Sequence, residues 1–500
     1  MATIVERERK YSADDGFRLP DLTGCGGVAT VSDATALELD AVYLDTPDLR
    51  LARSGYALRR RTGGHDAGWH LKVGAAGGPR TEYQFPAGPD DGDPPAELVG
   101  LFRGAARGTA VAPAARVVNH RLERRLRDKR GRVLAEVVED TVESEDLVSG
   151  ERQAWREIEV ELVDGDEAVL DAVEARLREA GARPVPVSKS HRALGARLAA
   201  ANEVRTEPAV APVLDYARAQ RDVLIGNHPA ARHGDEDAVH DMRVAIRRLR
   251  ATLRTFRGLW DRRESEAVRA ELRWLGAELG PVRDAQVMAA RLTQAVHAEP
   301  AELVLGPVVA RIGERFAVDV AAALDELGRA LDSDRYTGLL TRLDALLEGP
   351  TAGTADARWV NRRVRRAVTR ADDRLDRALT GRRPAHPGEE EDVALHEARK
   401  SYKAARYAVE VREPVVGRPA AQLVKRLKEL QDVLGAHQDS VITRDVLRTQ
   451  ALRAYADGEN TFTYGLLHAR QAAEAERDVR DAAVARDRSR RPKVRRWLAD

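Results

Sequence analysis

Three charged residues near the start of the chain have a spacing that could do chemistry. In MATIVERERKY, Glu6, Glu8 and Lys10 alternate with Val5, Arg7 and Arg9, so an extended backbone puts residues 6, 8 and 10 on one face. Two carboxylates that close repel each other unless water screens them or a cation sits between them. A solvated edge strand, charged to discourage edge-to-edge pairing, is the simplest reading of this stretch alone. The same alternation recurs, however, in Arg59 and Arg61 of ALRRR, Lys72 of WHLKV, and Arg80 and Glu82 of RTEY. It continues in Arg121, Glu123 and Arg125 of HRLERRL, in Glu136, Val138 and Asp140 of AEVVED, and in Glu157, Glu159 and Glu161 of REIEVEL. Lys189 and Arg192 follow in VSKSHRAL.

The REIEVEL stretch puts its acids on one face and Ile158, Val160 and Leu162 on the other. If such apolar faces pack outward under helices, acids and bases point into a polar interior. An interior of isolated buried charges costs many kcal/mol. Divalent metal and a chain of phosphates would make it coherent: hard cations take carboxylate and phosphate oxygens, and Arg and Lys neutralise the remaining phosphate charge. Phosphoryl transfer needs such positioning and electrostatic stabilisation, with little covalent work by the protein. Strand by strand, an ordinary sheet with a solvated polar face remains the alternative.

A second constellation lies further along. At about 100° per residue, His240, Arg243, Arg247 and Arg250 fall in one helical stripe about 80° wide. Residues 240–257 contain six arginines and one acid, Asp241. The pattern repeats: aligning His240 with His396 pairs Arg243 with Arg399, Arg247 with Lys403 and Arg250 with Arg406, with Lys400 beside the stripe. LGPVRDAQV (279–287) likewise matches LGAHQDSVI (434–442), pairing Asp284 with Asp439 at nearly the same offset. Two matched points at one spacing indicate an internal duplication. A cationic ridge repels itself and makes sense mainly against a polyanion; a solvated face balanced by neighbouring acidic helices is the alternative.

The elements that must position these residues divide the chain. Residues 1–200 read as strands broken by turns, TIVERERKY among them, with GDEAVLDAVEARLREAGAR as an amphipathic helix that stops at Gly181. ANEVRTEPAVAP (201–212) has the composition of a linker. Residues 213–495 then read as helices, in copies of about 213–345 and 355–495. RSRRPKVRR, near the end, reads as a basic tail or a solvated helix end. The expected class is α+β: an antiparallel β-barrel with helices, followed by an all-α duplicated bundle.

Composition adds bounds. Lys plus Arg is 82 and Asp plus Glu is 81, a net charge of +1, so any basic footprint is local. A single cysteine, Cys25, excludes an internal disulfide and fits a reducing cytoplasm. No apolar h-region and no run of about 20 apolar residues points to a signal peptide or a membrane span. Aromatics at 4% argue against single-stranded nucleic acid as the main ligand.

The first 200 residues resemble the CYTH family, the triphosphate tunnel metalloenzymes, which include triphosphatases and some adenylyl cyclases. Its opening ExExK stands here as Glu6, Glu8 and Lys10, and YLDTPDLRLARSGYALRRR (43–61), RTEY, EIEVEL and VSKSHRAL follow in order. The resemblance implies a tunnel binding Mg²⁺ or Mn²⁺ through Glu6, Glu8, Asp140, Glu159 and Glu161. It implies phosphate contacts from Lys10, Arg59, Arg61, Lys72, Lys189, and Arg121 or Arg125, because HRLERRL lacks the aromatic that usually follows the family's middle arginine. Glu6, Glu8 and Lys10 would be the catalytic core, with attack by a water activated near the metal. Residues 211–495 resemble the CHAD domain, which implies polyphosphate binding by His240, Arg243, Arg247, Arg250, His396, Arg399, Lys400, Lys403 and Arg406. The expected function is metal-dependent hydrolysis of inorganic triphosphate or a related short polyphosphate or organic triphosphate, in the cytoplasm or at polyphosphate granules. A non-catalytic polyphosphate-binding protein and an adenylyl cyclase are the rivals.

Overall fold

The computed structural model describes residues 2–74, 80–88, 92–185, 187–201, 208–349, 355–380 and 389–499. Half of the expected linker, residues 202–207, lies outside them. The chain forms two compact units, Met1–Val204 and Arg205–Asp500.

The first unit is one curled antiparallel sheet with flanking helices. Its strands are β1 (Ala2–Glu6), β2 (Glu8–Ala13), β3 (Thr30–Val31), β4 (Thr35–Asp45), β5 (Tyr56–Thr62), β6 (Gly68–Val73), β7 (Arg80–Pro86), β8 (Ala112–Arg127), β9 (Val133–Asp146), β10 (Arg152–Leu162) and β11 (Arg183–Pro184). The helices are α1 (Arg50–Arg53), α2 (Ala96–Ala106), α3 (Glu167–Glu179), α4 (Lys189–Ala193) and α5 (Gly195–Ala201). TIVERERKY is two strands, broken at Arg7: β1 pairs with β7 and β2 with β10. Arg7 marks the switch, its carbonyl accepting from Leu162 N at 2.9 Å. The strand order runs β1-β7-β6-β5-β4-β8-β9-β10-β2-β11, with β3 on β8. Because only Arg7 separates β1 from β2, the far parts of that order meet and the sheet curls around a tunnel.

Period-two patterning explains which side faces in. Ile158 and Val160 of β10, with Val137 of β9 and Tyr11 of β2, pack against Val169, Leu170, Val173 and Leu177 of α3. The intervening charged residues are left to the interior. Asp166 caps α3, its side chain accepting from Ala168 N at 3.1 Å.

The second unit is helical throughout its described residues. It comprises α6 (Ala211–Gly226), α7 (His228–Arg232), α8 (Glu236–Thr255), α9 (Arg262–His297), α10 (Val308–Asp332), α11 (Asp334–Glu348), α12 (Ala357–Thr380), α13 (Glu389–Glu410), α14 (Glu413–Val416), α15 (Arg418–Ala456), α16 (Phe462–Ser489) and α17 (Pro492–Arg495). Helices α9, α10, α15 and α16 share one core, with Leu292, Ile312, Leu447 and Leu467 in it. The RSRRPKVRR stretch is not a free tail: Arg495 ion-pairs with Asp372, and Arg490 reaches Asp376 at 3.0 Å.

Candidate functional site

The curled sheet encloses a cavity of about 520 Å³. Glu6, Glu8, Lys10, Arg59, Arg61, Lys72, Arg121, Arg125, Glu159, Glu161 and Lys189 all line it. Asp140 does not; it lies behind the wall, 1% exposed. Among the described residues, eight carboxylates and eight Lys or Arg side chains face the space, so that lining is close to neutral.

Strand register sets who meets whom. Glu159 lies opposite Lys10, Glu161 opposite Glu8, Glu157 opposite Asp140 and Lys72 opposite Glu82. Like charges directly across a ladder are destabilising; Glu161 also lies opposite Glu136 on its other side, and the Glu157–Asp140 and Glu161–Glu8 pairs are handled differently. Lys189 on α4 answers the first: its Nζ lies 2.8 Å from Asp140, 2.9 Å from Glu159, and also pairs with Glu157. Asp140, Glu157 and Glu159 each offer an oxygen within 4.8 Å of the others, a buried set capable of coordinating a divalent metal. The cation that stands among them is the Lys189 ammonium. Arg121 forks onto Asp140 at 2.8 and 2.7 Å and reaches Glu159 at 3.2 Å.

The second like pair has no such answer. Glu8 takes Lys10 at 3.2 Å and Arg80 at 3.5 Å. Glu161 has no ion-pair or hydrogen-bond partner among the described residues. Burial pushes its carboxyl up to about 7, against Lys72, with Glu8 and Glu159 adding to the rise. Glu6 is also pushed up to about 7 by burial, although Lys72 Nζ sits 2.7 and 2.8 Å from its oxygens. Glu82 behaves oppositely: burial is outweighed by His70, Lys72 and Arg59, which hold it well below the usual carboxylate range.

Several lining residues were visible in the alternation without being assigned a role. Arg80, Glu82, Glu123 and Glu136 share the inward face of their strands, and Glu136 holds Arg125 at 3.0 Å. Tyr43, beside Arg59, and His191 on α4 gave no charge alternation to find them by. The YLDT motif acts locally: Asp45 accepts from Thr46, Leu51 and Ala52 N–H groups at 2.7–2.9 Å and so ties α1 to the end of β4.

In the helical unit, α8 and α13 bring the two stripes together, with Ala251 packed on Ala404 and Tyr407. The duplication holds in space as well as in sequence. Arg243 pairs with Asp284 of α9 at 2.7 Å, and Arg399 lies 3.9 Å from Asp439 of α15. Arg243 also donates to Gly280 O at 3.1 Å, while Gly435, its repeat partner, leaves room for the Arg399 guanidinium. Burial pushes both His240 and His396 below the usual histidine range, helped by Arg283 and Lys400 respectively. Lys403 is pushed down to about 7, by burial first and then by Arg399, Arg247 and Arg406, against the opposing pull of Asp439.

Residues 5–191 match the CYTH domain and residues 215–448 the CHAD domain. Two uncharacterised Mycobacterium tuberculosis proteins, Rv2226 and MT2285, are 37% identical over 501 residues, covering 95% of this chain and 94% of each relative. The chain belongs to the tandem CYTH–CHAD proteins. Among solved structures, PptA from Streptomyces chartreusis is 23% identical over 57% of this chain and 99% of its own, with a TM-score of 0.47. The CHAD domain from the plant Ricinus communis is 23% identical over 55% of this chain and 88% of its own, with a TM-score of 0.42. The cavity is thus the tunnel of the CYTH domain, with a buried acidic cluster in its wall, and the paired stripes belong to the CHAD domain. No described helix is long and apolar enough to cross a membrane.

Proposed function

We propose that the CYTH domain is a metal-dependent triphosphatase acting on inorganic triphosphate or a related short polyphosphate or organic triphosphate, and that the CHAD domain binds inorganic polyphosphate. The observation that carries this reading is the unpartnered Glu161 directly opposite Glu8. A pair of carboxylates with no protein cation between them suits Mg²⁺ or Mn²⁺, and Glu6 stands next along the same face. Asp140 and Glu159 support that site from the wall, where Lys189 supplies their positive charge. When bound, the metal polarises phosphate oxygens and lowers the pKa of an attacking water.

The rest is done by side chains of this chain. Lys10, Arg59, Arg61, Lys72, Arg121 and Arg125 orient the phosphates, each exchanging a carboxylate contact for a phosphate oxygen. Because the tunnel is close to neutral without ligand, a triphosphate's own charge requires the added divalent cation. That balance favours a metal–phosphate complex over either component alone.

The test is phosphate release from triphosphate, long-chain polyphosphate, ATP and thiamine triphosphate, with and without Mg²⁺ or Mn²⁺. Metal-dependent release supports the reading. No release from any substrate, with polyphosphate still bound, leaves a non-catalytic binding protein; cyclic nucleotide from ATP would make it a cyclase. In the CHAD domain, Arg243→Ala with Arg399→Ala should weaken salt-sensitive polyphosphate binding about tenfold or more, measured by titration at two ionic strengths. Unchanged affinity refutes the stripe assignment. Residence in the cytoplasm, with or without polyphosphate granules, belongs to the same proposal.

Two pH dependences follow. Protons compete with metal for Glu6 and Glu161, whose carboxyls lie near 7, so Mn²⁺ affinity should rise between pH 6 and pH 8. Calorimetric titration at both pH values checks it; a flat profile rules these two acids out as ligands. For the CHAD domain the sign reverses. Lys403 is a cation below about 7 and loses its charge above it, so polyphosphate affinity should fall from pH 6 to pH 8. Lys403→Arg should flatten that profile; a slope equal to wild type would place the titrating group elsewhere.

A further inference from the structure

The CHAD domain carries a second cationic face that the paired stripes do not include. Residues 357–370, the N-terminal half of α12, hold six arginines and no acid, in a chain of net charge +1. Arg358, Arg362, Arg366, Arg370 and Arg374 recur every fourth residue, one ridge about 24 Å long at 1.5 Å per residue. Val360, Val364, Val368, Ala371 and Leu375 bury the opposite side, and Arg358, Arg362, Arg366 and Arg370 are exposed. None of these four exposed arginines has a carboxylate partner among the described residues. Arg374, at the end of the ridge, lies 3.9 Å from Glu397.

Like charges at four-residue spacing destabilise a helix, so the ridge works against its own fold unless an anion lies along it. It is also continuous with the stripe. Arg250 of the stripe neighbours Arg254, Arg269 and Arg273, and Arg254 in turn neighbours Arg370 and Arg374. The end of α8 packs on the start of α12, with Phe256 and Trp359 ring centroids 6.3 Å apart.

We propose that the α12 arginine ridge extends the polyphosphate site of the CHAD domain, so that long chains bind across stripe and ridge while short chains occupy the stripe alone. The inference rests on the reading of the stripe as a polyphosphate site. A line of forked guanidiniums matches closely repeated phosphate oxygens along a linear chain, and its length exceeds any triphosphate. A single-stranded nucleic acid would need faces for its bases to stack on. Trp359 offers little: Arg363 lies 4.9 Å from its ring centroid and Phe256 packs beside it.

The experiment compares the full chain with Arg362→Gln/Arg366→Gln/Arg370→Gln, three exposed changes that keep helix-forming residues. Each protein is titrated with a short oligophosphate, a long-chain polyphosphate and a single-stranded RNA of matched charge. Wild type should bind the long chain more tightly than the short one. The triple variant should lose about tenfold or more for the long chain, with its salt slope reduced by about two, and keep its short-chain affinity. Equal losses for both lengths, or no loss, overturn the extension while leaving the stripe assignment standing. If wild type binds neither polyphosphate, the stripe reading fails and the extension with it. A larger loss for RNA than for polyphosphate would make the ridge a nucleic-acid surface instead.

Discussion

Glu8→Gln should reduce metal-dependent phosphate release by about a hundredfold or more while leaving the fold intact. Glutamine keeps the size and the acceptor oxygen of Glu8 but removes the charge that a divalent cation needs. In the wild-type chain Glu8 lies across the ladder from Glu161, so the substitution also relieves a like-charge pair. The Lys10 and Arg80 contacts, at 3.2 and 3.5 Å, weaken in exchange. These opposing effects leave the melting temperature nearly unchanged, whereas Mn²⁺ affinity falls with the rate. Initial rates on triphosphate, with Mn²⁺ titrated in parallel, check both. A variant that releases phosphate at the wild-type rate would remove Glu8 from the chemistry.

Lys189→Met should be the most damaging single change to the CYTH domain's stability. Lys189 is 7% exposed and is shared by Asp140, Glu157 and Glu159. Methionine fills the same volume but leaves three buried carboxylates with Arg121 and Lys10 as cations and the Trp155 indole N–H, which donates to Glu157 at 2.6 Å. Breaking a buried ion pair by removing one partner costs about 3–5 kcal/mol, or a fall of roughly 10 °C in melting temperature. The three oxygens already lie within 4.8 Å of one another, so Mn²⁺ should recover much of the loss in the variant. Lower pH should recover part of it too, because protonation relieves the repulsion. Thermal melts with and without Mn²⁺, at pH 5.5 and 7.5, decide. Unchanged stability would mean that Lys189 is not the counterion of this cluster, and a loss that Mn²⁺ does not reverse would mean that the cluster cannot trade an ammonium for a metal.

The two predictions separate two acidic groups that look alike in sequence. Both come from alternating stretches, and both place like charges across a ladder. Only the distances distinguish the cluster whose carboxylates share one ammonium from the pair in which Glu8 holds Lys10 and Arg80 while Glu161 has no partner among the described residues.

Much of the rest is legible in the chain. Period-two alternation assigns Glu6, Glu8, Lys10, Arg59, Arg61, Lys72, Arg121, Arg125, Glu159 and Glu161 to one inner face, because pleating alone decides on which side a side chain stands. The duplicated His and Arg stripe is equally visible, because helical period and repeat offset are both properties of the sequence.

What the chain does not display is who stands opposite whom. Arg7 sits within an unbroken alternation, yet it is where one strand changes neighbours, a consequence of sheet closure rather than local propensity. Asp140 alternates with the lining acids but lies behind them, held by Arg121 and Lys189. Lys189 comes from a short helix about thirty residues after Glu159. The basic tail is tied down because Asp372 is near it in space, and Arg358, Arg362, Arg366 and Arg370 of α12 form an uncompensated ridge because no acid among the described residues pairs with them.

The sequence by itself determined the two domains, their inward and cationic faces, and the charged residue types that line them. Periodicity carries that information residue by residue. Only the tertiary structure decided which charges are already satisfied, since ion pairing depends on separations of a few ångströms between residues far apart in the chain.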